Sequence, residues 1–249
     1  MNFQKRKNII LAKVKEHGEV NVKDLAEEID ISEITIRRDL VALANDGLVY
    51  RTHGGAMRMD LVQTHFTNKV ASNLEQKDHI CRIAAQEIEN GDTVFMDCGS
   101  TVFRLCQFIK HKKIRVVTNS LPVLYALMDS SVSVNLVGGE VDKERQAMHG
   151  RIAEEHIARY QFTKAFVGVD GISAERGLSA HSEQEAGITL AAASHATKTY
   201  LLCDATKVGK DQYLNFAPLG VIDVMISDQE TEGIAALRKA GLVVITDFK

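Results

Sequence analysis

The stretch ISEITIRRDLVALANDGLVYRTHGGA, residues 31–56, decides the fold of the N-terminal part. Ser32 stands where a helix N-cap is wanted, and Gly47 stands where a helix should stop, so a helix is predicted from Glu33 to Asn45. Stepping about 100° per residue from Ile36 puts Leu40 and Leu43 beside it as a buried stripe. Ile34, Arg38, Val41 and Asn45 fall on the opposite face, with Thr35 and Arg37 on its flanks. An arginine pair on a helix is most often a solvated face. Here it follows a turn and precedes two short extended arms around Gly54-Gly55, which is a hairpin signal. An exposed face of Ile34, Thr35, Arg37 and Arg38 suits a DNA major groove, where arginine meets guanine or phosphate and an apolar group meets a thymine methyl.

Upstream, Ile9, Ile10 and Val14, with Phe3 a turn back, predict a helix over residues 3–17 that Gly18 ends. A short extended stretch, Glu19 to Val22, precedes a second helix from Asp24 to Ile29, and Asp30-Ile31-Ser32 forms the turn. Three helices and a hairpin make a winged helix-turn-helix. Residues 1–60 carry ten Lys/Arg and ten Asp/Glu, so the nucleic-acid argument rests on where charge falls rather than on its sum. Arg51 and His53 of the hairpin are candidates for backbone or minor-groove contact, with solvation as the bland alternative. Lys5, Arg6 and Lys7 are candidates for phosphate contact.

Downstream, residues 59–75 are polar and aperiodic and read as a linker between a head (1–58) and a second domain (76–249). A helix over 77–89 leads into strand 93–96. Further strands are expected at 114–118, 132–137, 164–169, 199–203, 221–226 and 242–246, mostly separated by helical stretches. Nearly continuous apolar strands alternating with helices imply a mostly parallel α/β sheet covered on both faces.

The clearest local chemistry of this half is MDCGSTVFRL, residues 96–105, a strand running into a helix. Gly99 permits close backbone approach, and Ser100 and Thr101 offer hydroxyls and N–H groups where a helix N-terminus attracts anions. An ordinary strand-to-helix turn with Ser100 as N-cap explains the same residues equally well. Other strand ends that face the same mouth hold Asn119 and Ser120, Gly138 and Gly139, and Asp170. Lys207 follows a strand and suits either a phosphate or plain solvent. Of Glu183 and Glu185, the second has capping-box spacing from Ser182, which leaves Glu183 as the candidate. No nucleotide-binding glycine pattern is present. The nine histidines form no ligand-like cluster and the four cysteines no C-x-x-C pair, so neither metal nor cofactor is expected.

Residues 31–56 resemble the signature of the DeoR family of bacterial transcriptional regulators. The match runs through Ser32, Thr35, Ile36, Arg37, Arg38, Asp39, Leu40, Gly47, Leu48, Arg51, His53, Gly54, Gly55 and Ala56. It continues through Asp97, Gly99, Ser100 and Thr101, through residues 118–120, and through Asp204, Thr206, Lys207 and Gly209. The four cysteines, none in a C-x-x-C pair, make a cytoplasmic, reduced protein the simplest reading, and paired heads on repeated half-sites imply a homo-oligomer, dimer or tetramer. The resemblance implies a repressor of a sugar-metabolism operon. Its second domain would resemble ribose-5-phosphate isomerase, bind a phosphorylated sugar and thereby alter affinity for operator DNA. An isomerase carrying a DNA-binding head is the alternative, with Asp97, Asp170, Glu183 and Lys207 as imaginable catalytic groups. With no run of about 18 apolar residues, no membrane partner is expected.

Overall fold

A computed structural model describes residues 3–45, 48–52, 54–57, 69–70 and 72–247. His53, most of the expected linker and the side chain of Asn45 lie outside the described residues. The chain divides into two compact units, Met1–Gln63 and Thr64–Lys249.

The first unit holds helices α1 (Phe3–His17), α2 (Val22–Ile29) and α3 (Glu33–Asn45), with strands β1 (Glu19–Asn21), β2 (Tyr50–Arg51) and β3 (Gly55–Met57). The helix α2 starts two residues earlier than its apolar spacing predicts, because the Asn21 side chain accepts the Lys23 N–H and caps it. It ends at Asp30, whose φ of 53° is a left-handed conformation that a short polar side chain tolerates. The sharp turn into α3 follows. The strands form an antiparallel sheet in the order β1–β3–β2, so the hairpin is closed by the extended stretch after α1. Ile10, Val14, Leu25, Ile36, Leu40, Leu43 and Ala56 form the core of this unit.

The second unit is built on a seven-stranded sheet of β4 (Thr93–Met96), β5 (Arg115–Thr118), β6 (Ser133–Leu136), β9 (Phe162–Val167), β12 (Ala196–Leu202), β14 (Val224–Ile226) and β15 (Val243–Ile245). All its pairings are parallel, in the order β15–β14–β12–β9–β4–β5–β6. Successive strand residues serve opposite faces. Val94 and Met96 pack under the helices Leu74–Gln86, Ser100–Ile109 and Leu121–Leu127. Phe95 packs under the helices Arg151–Ile157, Glu183–Ser194 and Glu232–Lys239. Two-sided burial explains why the strands read as unbroken apolar runs.

From β4 the chain builds toward β6 in one direction, and from β9 toward β15 in the other. The switch point lies between β4 and β9, and ligands in such sheets sit beyond the strand ends at that place. Two antiparallel pieces stand beside it that hydrophobic periodicity does not announce. One is the hairpin of β7 (Glu140–Asp142) and β8 (Ala147–His149). The other is a sheet of β10 (Gly171–Ser173), β11 (Gly177–Ala180) and β13 (Leu214–Ala217).

Gly55 is required by contact rather than by turn geometry: a Cβ there would stand 1.8 Å from the Val20 carbonyl oxygen of β1. Gly55→Ala must therefore part β3 from β1 and is expected to destabilise the first unit by about 1–3 kcal/mol. Chemical denaturation of the whole chain checks this, and a substitution without effect would mean that the close β1–β3 approach is misplaced.

Candidate functional site

On α3, Ile36, Leu40 and Leu43 are fully buried, whereas Ile34 is 66% and Val41 47% exposed. Arg37 and Arg38 are exposed on the same side, and these four side chains line one shallow recess. Arg37 is steadied by Glu33 one turn earlier, at 3.2 Å. Ser32 begins the helix, accepting the Thr35 N–H at 3.4 Å, and its hydroxyl lies 3.0 Å from that of Thr35. Arg6, read from the sequence as a phosphate contact, has another role here. It forms a two-pronged pair with Asp39 on the buried side of α3, at 2.5 and 2.9 Å. Arg51 is half-buried, with its Nη1 enclosed and without a hydrogen-bond partner among the described residues.

In the second unit a cavity of about 150 Å³ lies at the switch point. Its floor is the turn after β4. Asp97 folds its carboxylate back to accept the Gly99 N–H at 2.7 Å and the Gly168 N–H, beyond β9, at 2.6 Å. Burial pushes this carboxyl up to about 6, against those two hydrogen bonds. Gly99, not Ser100, is the N-cap of the helix Ser100–Ile109, and no side chain caps it. The first N–H groups of a helix have no partner within it, so this end faces the cavity as a donor cluster.

The walls carry charge in two groups. Asp170 accepts from Lys69 at 3.1 Å and from Arg145 at 3.4 Å, and Arg145 also pairs with Glu185. Burial alone would raise Asp170, but Lys69 and Arg145 hold it below the usual carboxylate range. Glu185 shares Arg145 with Asp170, and burial pushes it up to about 7. The other group is Lys77 and Lys207. Lys77 is only 3% exposed, and burial lowers its pKa. Its ammonium donates to the Lys69 carbonyl and, at 3.5 Å, to the Ser72 hydroxyl. Lys207 ends a short 3₁₀ turn, Ala205–Lys207, that Asp204 caps. Among the described residues neither lysine has a carboxylate at ion-pair distance.

Of the residues read from the sequence, Asp97, Gly99, Ser100, Thr101, Asp170 and Lys207 line this cavity. The other five do not. Asn119 and Ser120 are fully buried behind it: Asn119 donates to the Met148 carbonyl at 3.0 Å, and Ser120 caps the helix Leu121–Leu127. Gly139 is packed against β8, where a Cβ would meet the His149 carbonyl at 2.6 Å. Gly138 donates its N–H to His156. Glu183 is exposed, and Glu185 lines the cavity in its place. The capping reading of Glu185 is correct as well, since its N–H meets the Ser182 hydroxyl at 3.2 Å while its carboxylate reaches Arg145. Lys69, Lys77, Arg145 and His149 are cavity residues that sequence reasoning missed. Burial holds His149 below its ordinary pKa, and its Nε2 lies 3.8 Å from the Cys98 thiol. Among the described residues no cluster of His, Cys, Asp or Glu fits a metal ion, and no helix is long and apolar enough to cross a membrane.

Residues 6–61 match the DeoR-like helix-turn-helix domain, and residues 72–229 match the DeoR C terminal sensor domain. The chain is 36% identical over 238 residues to the lactose phosphotransferase system repressor of Lactococcus lactis subsp. lactis, covering 92% of each chain. It is 31% identical to the repressor of the same name from Staphylococcus aureus strain N315, over 93% of this chain and 94% of that one. Among solved structures, ribose 5-phosphate isomerase A from Methanocaldococcus jannaschii shares 15% identity over 55% of each chain, with a TM-score of 0.40.

A carboxyl whose pKa is raised in the fold stabilises it below the ordinary range, and that contribution is lost as pH rises through about 7 for Glu185. Glu185→Gln lacks the loss. Its thermal midpoint is therefore expected to gain on the parent's from pH ~5 to ~8, whatever the constant offset from the severed Arg145 contact. A difference that is flat with pH, or that grows in the parent's favour, would sink the assignment.

Proposed function

Because the chain belongs to the DeoR family of transcriptional regulators, we propose that it represses a sugar-metabolism operon and leaves its operator when a phosphorylated sugar fills the cavity at the β4–β9 switch point. One observation carries the ligand class. Two lysines, Lys77 and Lys207, line the cavity without a carboxylate at ion-pair distance among the described residues, together with the uncapped start of the helix Ser100–Ile109. A phosphate monoester carries about two negative charges at neutral pH and three acceptor oxygens, which fits that donor set. The carboxylates of Asp170, Glu185 and Asp97 then face the sugar hydroxyls as acceptors. Relatives named as repressors of a lactose phosphotransferase system support both the sign of regulation and a sugar ligand.

The DNA-reading face is Ile34, Thr35, Arg37 and Arg38, started by Ser32, and Arg51 and His53 remain candidates for backbone contact from the sequence. The Arg6–Asp39 pair holds α3 from behind and so sets the angle at which that face meets a groove. A homo-oligomer presenting two heads to repeated half-sites raises affinity by effective concentration. The reading is non-enzymatic: the cavity binds, and binding shifts the population of operator-competent molecules.

Arg38→Ala is expected to weaken operator binding by about 1–3 kcal/mol, measured by fluorescence anisotropy on duplex DNA selected by the parent protein. Unchanged affinity would remove α3 as the reading element. Ser100→Glu sets a carboxylate at the helix start and should abolish the response to a panel of hexose and pentose phosphates while leaving operator binding intact. A response that survives moves the anion site elsewhere. Conversion of any panel member by the parent protein, followed by NMR, would favour an isomerase instead.

A further inference from the structure

The cavity wall includes the part of the second unit that chain order places next to the first. The first unit ends at Gln63, and Lys69 is the first described residue after it. Two contacts hold this segment to the cavity. The Lys69 ammonium meets Asp170, and the Lys69 carbonyl accepts from both Lys77 and Ser72. Asp170 and Lys77 are also groups a phosphorylated sugar would engage, the first through hydroxyls and the second through phosphate.

We propose that Lys69 and Val70 form a strap tied at the sensor cavity, and that the ligand unties it by taking Asp170 and Lys77 for itself. This rests on the cavity being the effector site. Without ligand, Lys77 is a buried ammonium whose acceptors are a carbonyl and a hydroxyl, both neutral. A dianion at the helix start is a stronger partner for it than either. Once Lys77 turns to phosphate and a sugar hydroxyl donates to Asp170, the strap has lost both anchors at its Lys69 end. The tied strap belongs to the operator-binding state. Ligand and tied strap exclude one another, so the ligand binds the untied state better, as a change of affinity requires. Arg145 stays bound to Glu185 throughout and preserves the cavity wall.

The strap can be cut without any ligand. In the full-length protein, Lys69→Met is expected to lower affinity for the selected operator duplex by about tenfold or more with no compound added, while Lys69→Arg stays within about threefold of the parent. Asp170→Asn should give a similar loss, and Lys69→Met with Asp170→Asn should be no weaker than the poorer single variant, because both cut one contact. Hydrogen exchange should show faster amides around Ser72 and Asn73 in Lys69→Met, with the core strands of the second unit unchanged. Lys69→Met that binds operator like the parent overturns the strap, as does a double variant whose losses add. A parent that ignores every sugar phosphate while Lys69→Met still loses operator leaves the strap standing and removes the effector reading. A parent that responds, with a Lys69→Met that responds equally from equal affinity, removes the strap alone.

Discussion

The carboxylate of Asp97 is the constraint on which the second unit's site depends. Strands β4 and β9 are adjacent in the sheet but far apart in sequence, and past their carboxyl ends the chain departs to opposite sides. A gap between them is built into the topology. Asp97 spans it by accepting one N–H from each departing segment, Gly99 on its own side and Gly168 across the break. The price is a buried anion, visible in its raised pKa. The gain is a fixed helix start. A Cβ on Gly99 would stand 2.9 Å from the same carboxylate, so glycine is needed where the helix begins. A glycine N-cap has no side chain to satisfy the first N–H groups, and these are left to whatever enters the cavity.

Charge balance around that floor separates the structural groups from those left for a ligand. Lys69 and Arg145 are matched by Asp170 and Glu185 in a closed set. Such a set costs desolvation and returns geometry, which is a reason to retain it at a binding site rather than in a plain core. Lys77 and Lys207 stand outside it. Asp97 and Asp204, the other carboxylates of the lining, accept from backbone N–H groups instead of pairing with these lysines. The two lysines and the helix start are thus set apart from the carboxylate-bearing side of the same wall.

Legibility from sequence followed periodicity. The α3 stripe of Ile36, Leu40 and Leu43, and the apolar runs of the sheet, lie where spacing puts them because the stripe and the central strands are buried in regular elements. The turn after β4 was legible because its residue types are dictated by local chemistry. The rest of the site was not. Arg145 sits between β7 and β8 in the run Lys143-Glu144-Arg145-Gln146, which reads as a solvated turn. Lys77 lies among charged neighbours in the first turns of its helix, and no pattern marks it as buried. Glu185 was set aside because capping explained it, yet its backbone and its carboxylate have separate partners. Asn119, Ser120 and Gly139 were read as ligand groups because they follow strands. They anchor the β7–β8 hairpin instead, and that hairpin in turn presents Arg145 and His149.

The placement of Lys69 decides what kind of coupling the cavity can support. A sensor whose ligand contacts were all internal to the rigid sheet would bind tightly and report nothing, since equal affinity for two states shifts neither. Here the described segment nearest the head in sequence is held through its Lys69 side chain and carbonyl, and both holders face the cavity. The differential affinity then arises from competition for Asp170 and Lys77, with no need for a displaced helix or a rearranged core. Its size is set by the preference of the ligand for the untied state, which is the one quantity by which any ligand shifts a two-state equilibrium.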